Sequence, residues 1–227
     1  MRTTPITPWL KQNRGFLIFL LCFGFLRTAV ADWNPIPSGS MRPTLVEGDV
    51  VLVNRLAYDF KLPLTDVSLL ALGEPRRGDV VTFTSPVDGV RLIKRLVAVP
   101  GDVVEMRDEV LSVNGVTAQY RDLRPAEEPL ESGGTLPAIR AVEHLGGGEH
   151  AVQFLPGVGA RRDVGRMVVP PGTYFFLGDN RDNSADSRYI GAVSRRLLIG
   201  RAHHILVSAD IKGNWMPRFE RVGERIQ

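Results

Sequence analysis

The chain has 227 residues, enough for one large or two small globular units with real cores. Hydrophobic residues make up 44% and charged residues 23%, which excludes a mostly disordered chain. The net charge is only +3 without a long run of like charges, so nucleic acid is a poor default partner, and the one cysteine, Cys22, excludes an intrachain disulfide framework and a cysteine-based zinc site.

In chain order, residues 1–14 are mostly polar and carry Arg2, Lys11 and Arg14 with no acid. The apolar run from Gly15 to Leu26 follows, then Arg27, then Thr28-Ala-Val-Ala31 before Asp32. Two readings compete. A basic flank, an apolar run and an Ala-x-Ala end match a removable secretory signal. Alternatively, 15–31 is a membrane anchor. At ~1.5 Å per residue it spans roughly 26 Å, the short end for a bilayer. Arg27 then snorkels to the outer interface and Trp33 sits among headgroups. Either way, positive-inside logic keeps 1–14 cytoplasmic and exports everything after Asp32. No later stretch is long and apolar enough to span a membrane.

Past residue 33 the pattern is strands. Asp49–Val53, Asp79–Phe83, Arg91–Val99, Val103–Met106, Val110–Val113, Tyr174–Leu177 and Ala202–Val207 are short and rich in β-branched or aromatic residues, with Gly, Pro and Asp-Gly turns between them. Asn114-Gly115 reads as a hairpin tip. Leu64–Leu72 and Ser194–Ile199 are expected to form short helices. Residues 107–167, with several Pro and Gly146-Gly-Gly148, read as an inserted β-hairpin lobe. The fold class is mainly antiparallel β.

Three segments carry candidate chemistry. Ile36-Pro-Ser-Gly-Ser-Met-Arg-Pro-Thr-Leu45 reads either as an ordinary Pro/Gly/Ser loop or as a nucleophile segment. If Ile36 to Ser40 is extended, Ile36, Ser38 and Ser40 share one face. One hydroxyl can then attack a carbonyl while the other donates to the oxyanion. The histidines His144, His150, His203 and His204 offer no good candidate base for a Ser-His-Asp triad. In Val90–Val99, strand geometry puts Lys94 on an apolar stripe with Leu92, Leu96 and Ala98, while Arg91 and Arg95 face the other way. Lys94 is then either a snorkelling lysine or a desolvated one, and a desolvated lysine can lose its charge near neutral pH and deprotonate a serine. Gly178-Asp-Asn-Arg-Asp-Asn-Ser-Ala-Asp-Ser-Arg188 is a solvated polar loop, an imperfect calcium loop, or a support shell in which Ser184 bonds an amine and Asp186 pairs with Arg188.

Taken in order, these segments resemble those of bacterial type I signal peptidases. Pro37–Leu45 looks like the family's nucleophile box, Arg77–Phe83 its next strand box, Ile93–Asp102 its lysine box and Gly178–Arg188 its final box. The resemblance implies Ser40 as nucleophile and Lys94 as general base. It implies Ser38 Oγ and the Ser40 amide as the oxyanion hole, Ser184 orienting the lysine, and Asp179, Asp186 and Arg188 holding the site. Shallow pockets involving Ile36, Met41, Leu45, Leu92 and Ile93 would accept small residues, hence cleavage after Ala-x-Ala. No cofactor and no metal are implied. The sequence departs from the family pattern at Asn34, where some relatives have an aromatic lining residue, and at Arg91, where they have an acidic or neutral one.

The implied architecture is a cytoplasmic 1–14, a transmembrane helix over 15–31, an antiparallel β catalytic core in two parts (32–106 and 168–227, the latter with a C-terminal tail), and an inserted smaller β domain over 107–167. The implied partners are signal-peptide-bearing preproteins, membrane lipid and, transiently, the protein export machinery. The implied location is the bacterial inner membrane, single-pass, with the catalytic domain outside the cytoplasm. Ala29-Val-Ala31 stays open as a self-processing site. Two alternatives stay open: an exported β-rich binding domain without catalysis, which requires Ser40 and Lys94 to lie apart, and a Ser/Lys maturation peptidase of a conjugation or pilus system.

Overall fold

A computed structural model describes residues 6–63, 65, 67–130, 133–146 and 148–226. Helices Ile6–Gln12 and Arg14–Phe25 lead the chain, and a π-helical turn over Leu26–Val30 continues the second. Ala31 already belongs to a strand, so the apolar helical stretch stops one residue before the expected 31. Among the described residues no helix is long and apolar enough to cross a membrane. The helix leaves Phe16, Phe19, Leu21, Phe23 and Phe25 exposed. The Arg27 guanidinium lies 4.1 Å from the centre of the Trp33 ring.

The main sheet has seven strands in the order Ala31–Pro35, Asp49–Asn54, Leu198–Ser208, Val80–Thr84, Arg91–Ala98, Thr173–Leu177 and Val193–Ser194, every neighbouring pair antiparallel. Alternation drives it. Along Asp49–Asn54 the residues Asp49, Val51 and Val53 point inward, and Asp49 is satisfied by Ser208 Oγ at 2.7 Å and Arg221 Nη2 at 2.6 Å. The turn into this strand requires Gly48, since its φ is +89° and a Cβ there would lie 2.0 Å from the Ala209 carbonyl oxygen. Phe83 and Phe176 stack at 4.6 Å in the core with Leu96, Val81 and Leu198.

Two of the expected elements come out differently. The helix expected over Leu64–Leu72 is replaced by a hairpin of Asp59–Lys61 with Ser68–Ala71; residues 64 and 66 lie outside the described residues. The turn decides this. Leu62 N donates to the Val67 carbonyl, Thr65 Oγ1 donates to the Leu62 carbonyl, and Val67 N donates to Thr65 Oγ1, so the chain reverses before a helix can start. The helix expected over Ser194–Ile199 shrinks to a 3-10 turn at Arg195–Leu197, because Leu198 onward is drawn into the long strand beside Val80–Thr84.

Between the two halves of the main sheet the chain builds a three-stranded sheet from Gln119–Pro129, Thr135–Leu145 and Gly148–Phe154. A four-stranded sheet is ordered Val164–Val168, Val103–Arg107, Val110–Val113, Val116–Thr117. The tip at Asn114-Gly115 is a tight reversal with positive φ at both residues.

Candidate active site

The strand Arg91–Ala98 pairs with Val80–Thr84 from Arg91 to Arg95, but its other edge pairs with Thr173–Leu177 only from Arg95 to Ala98. The backbone edge from Arg91 to Lys94 is therefore free on one side among the described strands. Lys94 stands at the junction and is 2% exposed. Its Nζ donates to Ser40 Oγ at 2.7 Å and to the Ile93 carbonyl at 2.9 Å. Burial pushes the amine down to about 8, while the carboxylates of Asp186 and Asp179 hold it from falling further.

Ser40 is not in an extended segment. Ser38 is extended, and Gly39–Met41 then forms a 3-10 turn. The one-face arrangement of Ile36, Ser38 and Ser40 is not what forms: Ile36 is buried and Ser38 is exposed. The turn nevertheless leaves Ser38 Oγ 3.5 Å from Ser40 Oγ, so the two hydroxyls do meet. None of the four histidines is a partner of Ser40: His144 faces Glu149, His150 faces Glu143, and His203 and His204 face each other.

The segment Gly178–Arg188 wraps behind this pair. Gly178 is required there, because a Cβ would lie 2.2 Å from Ser184 Oγ and 2.5 Å from the Ser40 carbonyl oxygen. Asp179 is fully buried and accepts from Arg95 Nε at 2.8 Å, Arg95 Nη2 at 2.7 Å and Thr44 Oγ1. Burial alone would raise its carboxyl, but the Arg95 guanidinium outweighs that and holds it below the usual carboxylate range. Asp186 accepts from Gly178 N at 3.0 Å and takes Arg188 in a two-pronged pair at 2.8 Å on each oxygen. Asp182 accepts from Leu155 N and faces Arg162. An arginine stands opposite each of the three carboxylates, so the loop is cross-braced by ion pairs and a cation there would meet guanidinium charge.

Ser184 lies beside the Ser40 backbone, but its Oγ is buried without a hydrogen-bond partner. Lys94 spends its bonds on Ser40 and Ile93 instead. The pocket set also divides. Ile36, Met41 and Leu45 are buried in one core cluster with Val51 and Val53, and Met41 and Leu45 have no exposed surface, because the turn after Ser40 carries them inward. Leu92 and Ile93 keep partial exposure. The two departure residues meet. Arg91 Nη1 donates to Asn34 Oδ1 at 2.6 Å and Asp32 Oδ2 at 3.0 Å, tying the free half-edge to the outermost strand.

Sequence reasoning missed Arg95, Thr44, Asn180 and Glu128. Strand alternation puts Arg95 on the face opposite Lys94 without marking it as buried, yet it is 2% exposed, since Asp179 gives its charge a buried partner. Asn180 N donates to the Ser40 carbonyl at 3.2 Å, and its Nδ2 donates to the Gly39 carbonyl and to Glu128 Oε1, each at 3.0 Å. Asn180 lies inside the Gly178–Arg188 segment, so that segment was the signal. For Glu128, in a charged strand, the sequence held none.

The pattern described as signal peptidase, peptidase S26, matches residues 9–207. A "Signal peptidase I" of Pseudomonas aeruginosa is 36% identical over 227 residues, covering 94% of this chain and 78% of its own. One of Pseudomonas fluorescens is 36% identical over 226 residues with the same coverage. A crystal structure of a signal peptidase I from Enterococcus faecalis V583 shares 30% identity and covers 56% of this chain and 96% of its own, with a TM-score of 0.34. A binding domain without catalysis required Ser40 and Lys94 to lie apart; their hydrogen bond and this kinship overturn it. The chain belongs to the signal peptidase family, peptidase S26, and is a serine endopeptidase of it.

Proposed function

We propose that the chain removes signal peptides from exported preproteins, with Ser40 as nucleophile and Lys94 as general base. The observation that carries this is the 2.7 Å bond between a buried, charge-depressed amine and a serine hydroxyl. The neutral amine takes the Ser40 proton as Oγ attacks the scissile carbonyl carbon. Ser38 Oγ and the Ser40 amide donate to the oxyanion. The resulting ammonium gives its proton to the leaving amine, leaving an acyl ester on Ser40. Lys94 then deprotonates a water, whose oxygen attacks the ester carbonyl carbon; as the C–O bond to Ser40 breaks, the ammonium returns the proton to Ser40 Oγ and the signal peptide, which held the acyl group, leaves as a carboxylic acid. Ser184, unpartnered beside the Ser40 backbone, is assigned to receiving the ammonium between these transfers. Asp179, Asp186 and Arg188 keep the wall behind the pair rigid.

The free edge from Arg91 to Lys94 suits an extended substrate that adds to the sheet by main-chain hydrogen bonds. Leu92 and Ile93 flank it as apolar walls for small side chains, consistent with cleavage after Ala-x-Ala. The exposed aromatic helix from Arg14 to Phe25, preceded by Lys11, supports membrane anchoring with the body of the chain on the extracytoplasmic side. We assign residues 32–106 and 168–227 to the catalytic core and 107–167 to an inserted lobe.

Purified full-length protein should be incubated with a precursor bearing an Ala-x-Ala site, beside Ser40→Ala. The wild type should release the mature chain and Ser40→Ala should not. Equal cleavage by both would remove Ser40 as nucleophile.

A further inference from the structure

Among the described residues, Glu128 is the carboxylate through which the inserted lobe reaches the turn that carries Ser40. Glu128 lies on the strand Gln119–Pro129 and is only 4% exposed. Its Oε1 accepts from Asn180 Nδ2 at 3.0 Å and Asn183 Nδ2 at 3.2 Å. Its Oε2 accepts from Gln153 Nε2 at 2.8 Å and Arg42 Nη1 at 3.3 Å. A Cβ on Gly39 would stand 3.0 Å from Glu128 Oε1, so the carboxylate sits directly behind the residue that precedes Ser40.

The peptide unit between Gly39 and Ser40 gives this placement its meaning. The unit is planar and trans, so its C=O and its N–H point in opposite directions. The Gly39 carbonyl accepts from Asn180 Nδ2 at 3.0 Å. Whatever holds that carbonyl also aims the Ser40 amide, the backbone donor assigned above to the oxyanion. Asn180 has two amide orientations open to it. With Oδ1 turned toward Gly39, an acceptor would face both the carbonyl oxygen and the Glu128 carboxylate. The Glu128 carboxylate adds to the Gly39 carbonyl in opposing that orientation and selects the one in which Nδ2 serves both acceptors. Asn180 Oδ1 is left buried without a partner, so both hydrogen bonds of this amide run through Nδ2. The Asn180 backbone N–H clamps the next carbonyl, that of Ser40, at 3.2 Å.

We propose that Glu128 is a positioning residue for catalysis, through which the inserted lobe locks Asn180 and so aims the Ser40 amide at the oxyanion. The lobe is thereby a working part of the site. Gln153 reinforces the contact from a second lobe strand: its N–H donates to the Asp179 carbonyl and its carbonyl accepts from Arg181 N, both at 2.8 Å. The assignment rests on Ser40 being the nucleophile.

The test uses full-length protein in detergent with a peptide bearing an Ala-x-Ala site, comparing wild type, Ser40→Ala, Glu128→Gln, Asn180→Ala and the Glu128→Gln/Asn180→Ala double variant. Glu128→Gln keeps volume but puts an amide donor against donors. The expected result is a kcat lowered by roughly 10–100-fold with KM within about twofold, in a variant whose melting temperature shows it folded at the assay temperature. Asn180→Ala should show the same split, and the double variant should be no worse than the poorer single one, because both act on one peptide unit. A folded Glu128→Gln with wild-type kcat overturns the proposal. So does a loss of activity that tracks the loss of folded protein, or one carried by KM, since either makes Glu128 structural or substrate-facing. If Ser40→Ala keeps wild-type activity, the nucleophile reading fails instead, whatever Glu128 does.

Discussion

What fits Lys94 for the role proposed is where its nitrogen ends as well as its residue type. Burial brings the amine to about 8, so a usable fraction is neutral near physiological pH. The proposed base acts only in its neutral form, so kcat/KM should rise with pH through about 8 and level off above it; a profile flat across that range would remove Lys94 as base. Lys94→Arg should lose activity by about 10³-fold or more, as Lys94→Ala should, because a guanidinium stays protonated. The role proposed for Ser38 is separable. Its hydroxyl is 3.5 Å from Ser40 Oγ and exposed, so Ser38→Ala should fold normally. Its kcat should drop by roughly 10²–10³-fold with little change in KM, read from steady-state kinetics. A normal kcat with a raised KM would make Ser38 a pocket residue. Ser40, Ser38 and Lys94 were noticeable in the sequence as paired hydroxyls and a lysine on an apolar stripe, but the roles proposed for them came from the resemblance of the four boxes to the family. Arg95 was not noticeable. Strand alternation assigns it to the face opposite Lys94, and alternation cannot say whether that face is wet.

At the scale of elements, the strand Arg91–Ala98 does two jobs along its length. From Arg95 to Ala98 it is sheet interior; from Arg91 to Lys94 it keeps one edge open. The joint between the halves is held by Arg95, whose guanidinium grips Asp179 just beyond the neighbouring strand Thr173–Leu177. Replacing one partner of such a buried pair leaves a charge without compensation. Arg95→Met should therefore cost about 3–5 kcal/mol, measured by urea unfolding at neutral pH. The pH dependence has a definite sign. Asp179 is held below the usual carboxylate range, so the stability from this contact is present above that range and is lost as pH falls through the depressed value. The gap between wild type and Arg95→Met should accordingly shrink on acidification; a constant gap would mean that the loss is one of packing. The short elements carry a different lesson. Leu64–Leu72 has helix-like composition, but a hydrogen-bonded turn between Leu62 and Val67 commits the following residues to a hairpin.

Across the whole molecule, the apolar N-terminal helix and the main sheet share a boundary at Ala31, which pairs with Asn54 in the edge strand Ala31–Pro35. Removing residues 1–30 should release the protein from membranes and keep the sheet, as read by membrane fractionation and circular dichroism. Removing residues 1–35 takes the edge strand too and should lower the urea midpoint. A 1–30 deletion that still sediments with membranes would transfer anchoring to another surface. The Ala31–Asp32 bond lies within this paired strand, so self-processing there would require the strand to peel off the sheet. What the sequence alone determined was local: where most strands of the main sheet run, which glycines turn, that Ser40 and Lys94 are a hydroxyl and an amine in unusual settings, and that four motifs come in one order. Those features depend on neighbours a few residues apart. Only the tertiary structure decided that a serine and a lysine 54 positions apart end 2.7 Å from each other. It also decided that Met41 and Leu45 are core, and that the lobe strand carrying Glu128 returns to the nucleophile turn 88 positions earlier at Ser40. Side-chain burial and long-range hydrogen bonding are properties of packed surfaces, and no periodicity within a segment encodes which distant surface will cover it.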